Sequence, residues 1–187
     1  MGSTSDLLVL DWCDRATAAA AVKRYHYART LPRHLYRIGV WEGGRLVGCL
    51  VFGAAPAADA CELQRVALGP HQTPASRLLR IAVALLRRRW PELTCIVAYC
   101  DPKRGHIGTM YQAAGWTYTG RDGRGRYEYL RPLTADAARC AAATAEPYPQ
   151  CAGEAETSAV AGRSKTTPPR QGGANPTRPL SIERGAR

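Results

Sequence analysis

Two apolar runs joined by a Glu-Gly-Gly turn restrict the folds that this chain can adopt. The runs lie on either side of Glu42, Gly43 and Gly44. Glycine reaches the positive φ of a tight hairpin turn at no steric cost, so this pattern is typical of two consecutive antiparallel strands. The sheet of this protein is therefore expected to contain an antiparallel hairpin.

The elements around the hairpin alternate in an order that indicates one α/β (α+β) domain. Hydrophobic periodicity predicts β, α, β, β, β, α, β, α, β, β over residues 7–130. Asp14 is an acceptable N-cap for the first helix, predicted over 14–28, and Thr73 followed by Pro74 suits the start of the long second helix. This order is the arrangement of the GNAT acyltransferase fold, a mixed, largely antiparallel central sheet flanked by helices.

Positive charge is concentrated in the predicted domain, which covers residues 1–133. The chain carries +11 at pH 7, and residues 134–187 hold seven basic against five acidic side chains, which leaves +9 for the domain. The segment 134–187 is rich in Ala, Pro, Gly, Ser and Thr and is predicted to be a mostly disordered tail, with at most a short helix over 135–143. A basic domain indicates a polyanionic partner.

Cysteine usage and hydropathy indicate a reduced, cytoplasmic, soluble protein. The seven cysteines show no Cys-x-x-Cys spacing, which argues against a zinc ribbon or a disulfide framework. The N-terminal segment lacks a basic leader before a long apolar stretch, and no segment approaches ~18 continuous apolar residues. No membrane partner is expected, and the sequence leaves the oligomeric state open.

The start of the long helix is a candidate anion site. Its first backbone N–H groups could face a phosphate, helped by Ser76 and Arg77, which makes these two residues candidates for cofactor binding. The loop "HQTPASR" nevertheless lacks the Gln-x-x-Gly-x-Gly pattern that acyltransferases use there. The alternative is a plain helix cap beside a solvated arginine face.

Chemistry-bearing residues concentrate in the stretch from Ala98 to Gly120. Asp101 stands at a strand end, where its carboxylate could accept a proton from an exocyclic amine or merely cap the next turn. His106 lies between glycines, where backbone and ring could approach a phosphate, and with Gly105 it is a second cofactor-binding candidate. Glu62 on a central strand is a reserve base, or else a carboxylate paired with Arg65.

Five strings of this sequence carry a family resemblance. They are, in order, RYHYARTLP, YRIGVWEGGRLVGCLVFG, CELQRVAL, ASRLL and AYCDPKRGHIGTMYQAAGWTYTG. Over residues 23–129 the chain resembles the Mom family of phage DNA-modification proteins. The resemblance implies a GNAT-related enzyme that converts adenine in DNA to an N6-carbamoylmethyl derivative and protects the DNA from restriction endonucleases. It also implies a bacterial host cytoplasm and a phage or prophage gene.

The resemblance further implies roles for individual residues. Positions that match Arg65 and Ser76 are associated in the family with an acyl-CoA-like site, so acetyl-CoA or another acyl or aminoacyl donor is expected. Iron is associated with the family's tyrosine and histidine cluster. The implied catalytic residues, which are also the implied iron ligands, are His26, Tyr27, Asp101 and Tyr111.

Double-stranded DNA with a flipped adenine is the partner that the resemblance and the charge both favour. Arginines that neutralise phosphates release counterions, and a flipped base needs aromatic groups around it. Here Cys100 precedes Asp101 in the motif, and the two basic residues after Pro102 make the surrounding surface more basic. The candidate DNA-binding residues are Arg24, Arg80, Lys103 and Arg104.

Two other functions remain open on the sequence. An ordinary GNAT N-acyltransferase would use acetyl-CoA on a small amine or a protein and would not need DNA. A non-catalytic basic DNA-binding protein would need the charge but not the cluster of His26, Asp101 and Tyr111.

Overall fold

The computed structural model describes residues 7–33 and 36–150. Within these residues seven strands form one sheet, with four α-helices and a single 3₁₀ turn around it. The strands are β1 (Leu8–Trp12), β2 (Tyr36–Glu42), β3 (Arg45–Ala54), β4 (Ala60–Leu68), β5 (Cys95–Cys100), β6 (Thr117–Arg121) and β7 (Tyr127–Pro132). The helices are α1 (Arg15–Tyr25), α2 (Ala75–Arg89), α3 (Thr109–Ala113) and α4 (Ala135–Ala143), and the 3₁₀ turn covers Pro102–Arg104.

The sheet is mixed and largely antiparallel, as predicted. Its strand order is β1-β2-β3-β4-β5-β7-β6, and β4 with β5 is the parallel pair within the described chain. The predicted hairpin is confirmed, because β2 pairs antiparallel with β3 across Gly43 and Gly44, which have φ of 56° and 74°.

Helix α1 covers one face of the sheet and ends earlier than predicted. Asp14 caps it as expected, since its Oδ1 accepts a hydrogen bond of 2.6 Å from the N–H of Thr17. The helix ends at Tyr25 and not at Ala28, because His26 adopts an extended conformation with φ −109° and ψ 135°. The buried side chains of α1 pack against alternate residues of β3 and β4, and the contact group is Ala18, Ala21, Val22, Cys49, Val51 and Ala67.

Helix α2 covers the opposite face, because it packs against the other set of alternate strand residues. Leu79 and Leu86 belong to the main core together with Leu50 and Phe52 of β3. The helix begins one position later than predicted: Pro74 is its N-cap, and no side chain caps it. The predicted cap by Thr73 is therefore wrong.

Strands β4 and β5 separate towards their carboxyl ends. They pair only over Ala60–Leu63 and Cys95–Ala98, although β4 continues to Leu68. The register between β3 and β4 shifts here, since Phe52 pairs with Leu63 while Val51 pairs with Arg65. Gln64 is thus the extra residue of a β-bulge, which bends a strand locally. The result is a gap in the sheet.

Part of the predicted tail packs on the domain. Helix α4, which falls where a short helix was predicted, contacts β6 and β7. After it, the N–H of Glu146 donates to the carbonyl of Tyr118 at 2.9 Å, and the hydroxyl of Tyr148 donates to the carbonyl of Trp116 at 2.6 Å. The domain thus extends past the predicted boundary at residue 133 to include these residues. The rest of the predicted tail, 151–187, lies outside the described residues.

None of the helices in the described part of the chain is long and apolar enough to cross a membrane.

Candidate active site in the gap between β4 and β5

A cavity of about 390 Å³ opens where β4 and β5 separate. Its wall is formed by the residues after α1, the bulged part of β4, the end of β5 and the loop that leads into α3. Six of the residues predicted for the site line this cavity, and they are His26, Tyr27, Asp101, Gly105, His106 and Tyr111. Residues far apart in the chain therefore meet at one place, beside the end of β5.

The early end of α1 brings His26 and Tyr27 to the same cavity. On a continuing helix, side chains of successive residues diverge by about 100°, whereas here the two rings lie with centroids 4.3 Å apart. The N–H of Ala28 donates to His26 Nδ1 at 3.1 Å. A neutral imidazole that accepts at Nδ1 carries its proton on Nε2, so His26 is a hydrogen-bond donor at that atom.

The His26 ring is held in its neutral form. Partial burial lowers its pKa to about 4, and electrostatic interactions with Arg65, His106 and Arg104 act in the same direction. At neutral pH the ring is therefore uncharged, and its Nε2–H is available to polarise a carbonyl or to bind a nucleobase nitrogen.

Asp101 ends β5 and shapes the turn that follows it. Its Oδ1 accepts a hydrogen bond of 3.0 Å from the N–H of Lys103, and its Oδ2 lies 3.6 Å from Arg104 Nε. The capping role that the sequence left open is thus present. Asp101 also lines the cavity, so the cap fixes the position of a cavity residue.

The loop that carries His106 is held by β7 and α3. Gly105 and Gly108 have φ of 73° and 79°, which favours glycine at both positions. The hydroxyl of Tyr129 donates to the carbonyl of Ile107, and Gln112 Nε2 donates to the same carbonyl at 3.1 Å. The loop is therefore fixed by side chains of two other elements.

Tyr111 forms a buried part of the cavity wall. It is 3% exposed and its ring lies 5.2 Å from the rings of both Trp116 and Tyr129. Burial raises its pKa, so the phenol stays neutral. The neighbouring cavity thiol of Cys100 also has a pKa raised by burial, to about 11, and is therefore protonated rather than a nucleophile.

Other predicted residues lie outside the cavity wall. Burial raises the pKa of Glu62 against the opposing charges of Arg126 and Arg65, but Glu62 does not line the cavity. Arg65 Nη1 donates to the carbonyl of Gln64 at 2.7 Å, and Arg80 Nη2 donates to the carbonyl of Ala113 at 2.8 Å, where it caps α3. Also outside the wall are Arg24, Ser76, Arg77, Lys103 and Arg104.

Sequence reasoning missed Gln64 as a cavity residue. It lines the wall because the bulge turns it there, and its Oε1 is buried without a hydrogen-bond partner among the described residues. A weak signal exists in Gly53 on the adjacent strand. A Cβ at Gly53 would lie 2.2 Å from the amide of Gln64, and an interior strand glycine often marks a bulge or a close approach.

The described residues give no support for iron at the four positions that the resemblance implied. Asp101 accepts from Lys103 N–H and lies beside the Arg104 guanidinium, and Tyr111 is buried. Two arginines next to His26 disfavour a cation. In residues 7–33 and 36–150, no group of three or more His, Cys, Asp or Glu side chains could hold a metal ion. Iron is therefore unsupported.

Two N–H groups of the loop before α2 are already bonded to a carboxylate and are not available to a phosphate. Glu42 accepts hydrogen bonds of 2.8 Å from both Gln72 N–H and Thr73 N–H, and these bonds lower the pKa of its carboxyl. The N–H of Arg77 donates to Pro74 at 2.9 Å. The gap between β4 and β5 is different, because β4 beyond Leu63 is not paired with β5 and its backbone can face the arm of an acyl donor.

The sheet order, the gap and the cavity define a protein with the GNAT acyltransferase fold. The ribosomal-protein-S18-alanine N-acetyltransferase from Escherichia coli is 13% identical with a TM-score of 0.50, covering 68% of this chain and 95% of that one. Aminoglycoside N-acetyltransferase AAC(6')-Ib11 is 17% identical with a TM-score of 0.53, covering 68% and 98%. A PaiA N-acetyltransferase from Thermoplasma acidophilum, solved with coenzyme A, is 13% identical with a TM-score of 0.53, covering 68% and 99%. The predicted GNAT-like fold is confirmed.

The particular family follows from the sequence. The model of the Mom protein family matches residues 7–130, and the chain belongs to this family. No curated protein sequence matches the chain.

Proposed function

We propose that this protein modifies adenine in double-stranded DNA, converting the exocyclic amine to an N6-carbamoylmethyl derivative that protects the DNA from restriction endonucleases. Membership of the Mom protein family supports this proposal. The observation that carries it is the mouth of the cavity, where the exposed ring of Tyr27 lies beside His106, Arg104 and Asp101. Aromatic, cationic and acidic groups in this arrangement suit a nucleobase on an anionic backbone.

Tyr27 is the stacking surface for the flipped adenine in this proposal. Its side chain is 56% exposed, although large apolar side chains are usually covered. Its ring is 4.3 Å from the Arg104 guanidinium carbon and stacks on His106. Flipping costs a few kcal/mol, which stacking on aromatic groups and phosphate contacts offset.

Asp101 is the proton acceptor in the proposed reaction. The N6 lone pair is delocalised into the adenine ring, so the amine reacts only as its proton is removed. As the new N6–C bond forms, the N6 proton passes to the Asp101 carboxylate, and the bond between the transferred group and its carrier breaks with the electron pair leaving on the carrier. The neutral His26 ring donates from Nε2 to the base or to the carbonyl of the incoming group.

The donor in this proposal lies in the gap between β4 and β5. Acetyl-CoA or another acyl or aminoacyl donor would be bound there. Transfer of an acetyl group alone would give N6–C(=O)–CH3, whereas a two-carbon aminoacyl group gives N6–C(=O)–CH2–NH2. That group has the same atoms as the N6-carbamoylmethyl group and becomes it by an isomerisation that needs no oxidant or reductant. The bound coenzyme A of the Thermoplasma acidophilum structure supports a donor of the acyl-CoA type for this fold. In this chain the unpaired backbone of β4 and the amide of Gln64 would hold its arm.

The runner-up is an N-acyltransferase that uses acetyl-CoA on a small amine or a protein. The fold neighbours favour it, because those named above are N-acetyltransferases. A non-catalytic DNA-binding protein is the third candidate, but it would not need His26, Asp101 and Tyr111 around one cavity.

Nucleoside analysis separates these functions. The protein is expressed in bacteria, host DNA is digested to nucleosides, and modified deoxyadenosine is measured by mass spectrometry. We expect the modified nucleoside with the wild-type protein and with Arg88→Gln, and its loss with Asp101→Asn. Unmodified DNA from folded wild-type protein, together with consumption of acetyl-CoA on an amine without DNA, would favour the runner-up.

A further inference from the structure

A glycine-rich hairpin turn carries three arginines, one of which contacts a residue of the cavity wall. The turn joins β6 to β7 over residues 121–126 and contains Arg121, Arg124 and Arg126 with a single acidic residue, Asp122. None of these residues belongs to the predicted DNA-binding set. The cluster is not used by the proposed chemistry.

The hairpin is connected to the cavity through Tyr99. The Arg126 guanidinium carbon lies 4.2 Å from the centroid of the Tyr99 ring, and Tyr99 lines the cavity. Arg104 lies in the same way over Tyr27, at 4.3 Å. Two arginine–tyrosine stacks therefore flank the cavity, one from the loop after β5 and one from the β6–β7 turn.

The acidic residue of the turn, Asp122, bonds to other groups of the same turn. Asp122 forms an ion pair of 2.7 Å with Arg126, and its Oδ1 accepts from the N–H groups of Arg124 and Arg126 at 3.0 and 2.8 Å. These bonds hold the turn rigid and fix Arg126 over Tyr99. Glu62 is a second carboxylate whose charge interacts with Arg126 and Arg124, while Arg121 and Arg124 are exposed to solvent.

The two other arginines are available to a ligand. Arg121 is exposed and lies over the ring of Tyr127 at 4.9 Å. Arg124 is exposed, and its side chain makes no hydrogen bond or ion pair within residues 7–33 and 36–150. Guanidinium groups on a rigid turn are well suited to bind phosphate oxygens.

We propose that the β6–β7 turn binds the DNA backbone on the second side of the cavity, through phosphate contacts of Arg121 and Arg124. This inference rests on the proposed function. A strand that places one base in the cavity leaves it in two directions, so its phosphates need cations on both sides. In this proposal Lys103 and Arg104 contact phosphates on one side of the cavity, and Arg121 and Arg124 of the turn contact phosphates on the other side.

The test is the salt dependence of binding to a duplex oligonucleotide that contains adenine. Each lost phosphate contact lowers the slope of log Kobs against log salt by about 0.9. Arg121→Gln/Arg124→Gln is therefore expected to lower the slope by nearly 2 and to weaken binding ~10-fold or more at low salt. Arg124→Lys keeps a positive charge that can bind phosphate, so we expect this variant to show the wild-type slope of log Kobs against log salt.

The matched control is Arg87→Gln/Arg88→Gln, which removes the same charge from the exposed C-terminal end of α2, away from the cavity. An equal change of slope in the turn variant and in this control overturns the inference, as does selective binding of RNA over the duplex. Wild-type protein that leaves host DNA unmodified contradicts the proposed function. Even in that case, a lower salt slope in the turn variant than in the wild type and the control supports the contact between the turn and DNA. Melting temperatures of all variants verify folding.

Discussion

The ring of Tyr27 stacks on the ring of His106, with 6.2 Å between the centroids and 23° between the planes. Tyr27 follows α1, and His106 lies in the glycine-flanked loop between β5 and α3. The stack therefore joins the two chain segments that carry most of the candidate site. Its exposed position at the cavity mouth gives the following predictions their structural basis.

Removing the Tyr27 ring should reduce DNA modification strongly, while removing its hydroxyl should not. Stacking on an aromatic side chain contributes about 1–3 kcal/mol per base, so Tyr27→Ala is expected to lower modification ~5- to 100-fold. Tyr27→Phe keeps the ring and should retain most activity. The level of modified deoxyadenosine in host DNA measures both. Equal loss in the two variants would show that the hydroxyl, rather than the ring, is needed.

The His26 ring should titrate far below an ordinary histidine. Burial lowers its pKa to about 4 from the ordinary value of 6.5, so the unfolded chain binds this proton more readily than the folded one. Its contribution to stability is then fully present above pH 6.5 and is lost as the pH falls towards 4. We expect an NMR titration midpoint near 4 for this ring. A midpoint above 6 would contradict the burial of His26.

The same linkage gives a stability test. The melting temperature of the wild-type protein should fall more steeply between pH 6.5 and 4 than that of His26→Gln, which cannot be protonated there. Parallel curves for the two proteins would mean that His26 is as accessible to protons in the folded state as in the unfolded state.

Gly108 should be much less tolerant of a side chain than Gly105. A Cβ at Gly108 would lie 2.3 Å from the Tyr129 ring, whereas at Gly105 no atom lies within 4 Å. Both have positive φ, so Gly105→Ala pays mainly the conformational cost, about 1 kcal/mol. Gly108→Ala adds the steric clash, and we expect a total of about 2–4 kcal/mol. Denaturant unfolding measures the difference, and equal costs would mean that Tyr129 moves aside freely.

Tyr129→Phe should loosen the His106 loop without removing a cavity residue. It leaves the Ile107 carbonyl with Gln112 as its remaining side-chain donor, which is expected to cost about 1–2 kcal/mol of stability. Because the loop positions His106 and Gly105, modification of DNA should fall further than stability alone explains. Tyr127→Phe on the same strand is the control. If a destabilised Tyr129→Phe variant keeps full activity, the hydrogen bond from Tyr129 to the loop is not needed for DNA modification.

Local patterns predicted most of the elements and part of the site. The Glu42–Gly43–Gly44 turn, the Asp14 cap and the order of strands and helices each depend on neighbouring residues or on a short period, and all are present. The convergence of Asp101 and His106 at the end of β5 was also predictable, because a strand end and the loop after it are adjacent. The assignment of His26, Tyr27 and Tyr111 to the same site came from the family resemblance.

The amino-acid sequence by itself determined the fold class, the hairpin and the candidate residues, because hydrogen-bonded turns, caps and apolar periodicity are local. Only the tertiary structure decided where α1 ends, that Gln64 bulges, that β4 and β5 separate, and that Arg126 lies over Tyr99. Each of these depends on the register between strands and on packing between distant segments. The cavity is a product of those long-range contacts, since a gap in a sheet exists only where two strands cease to pair.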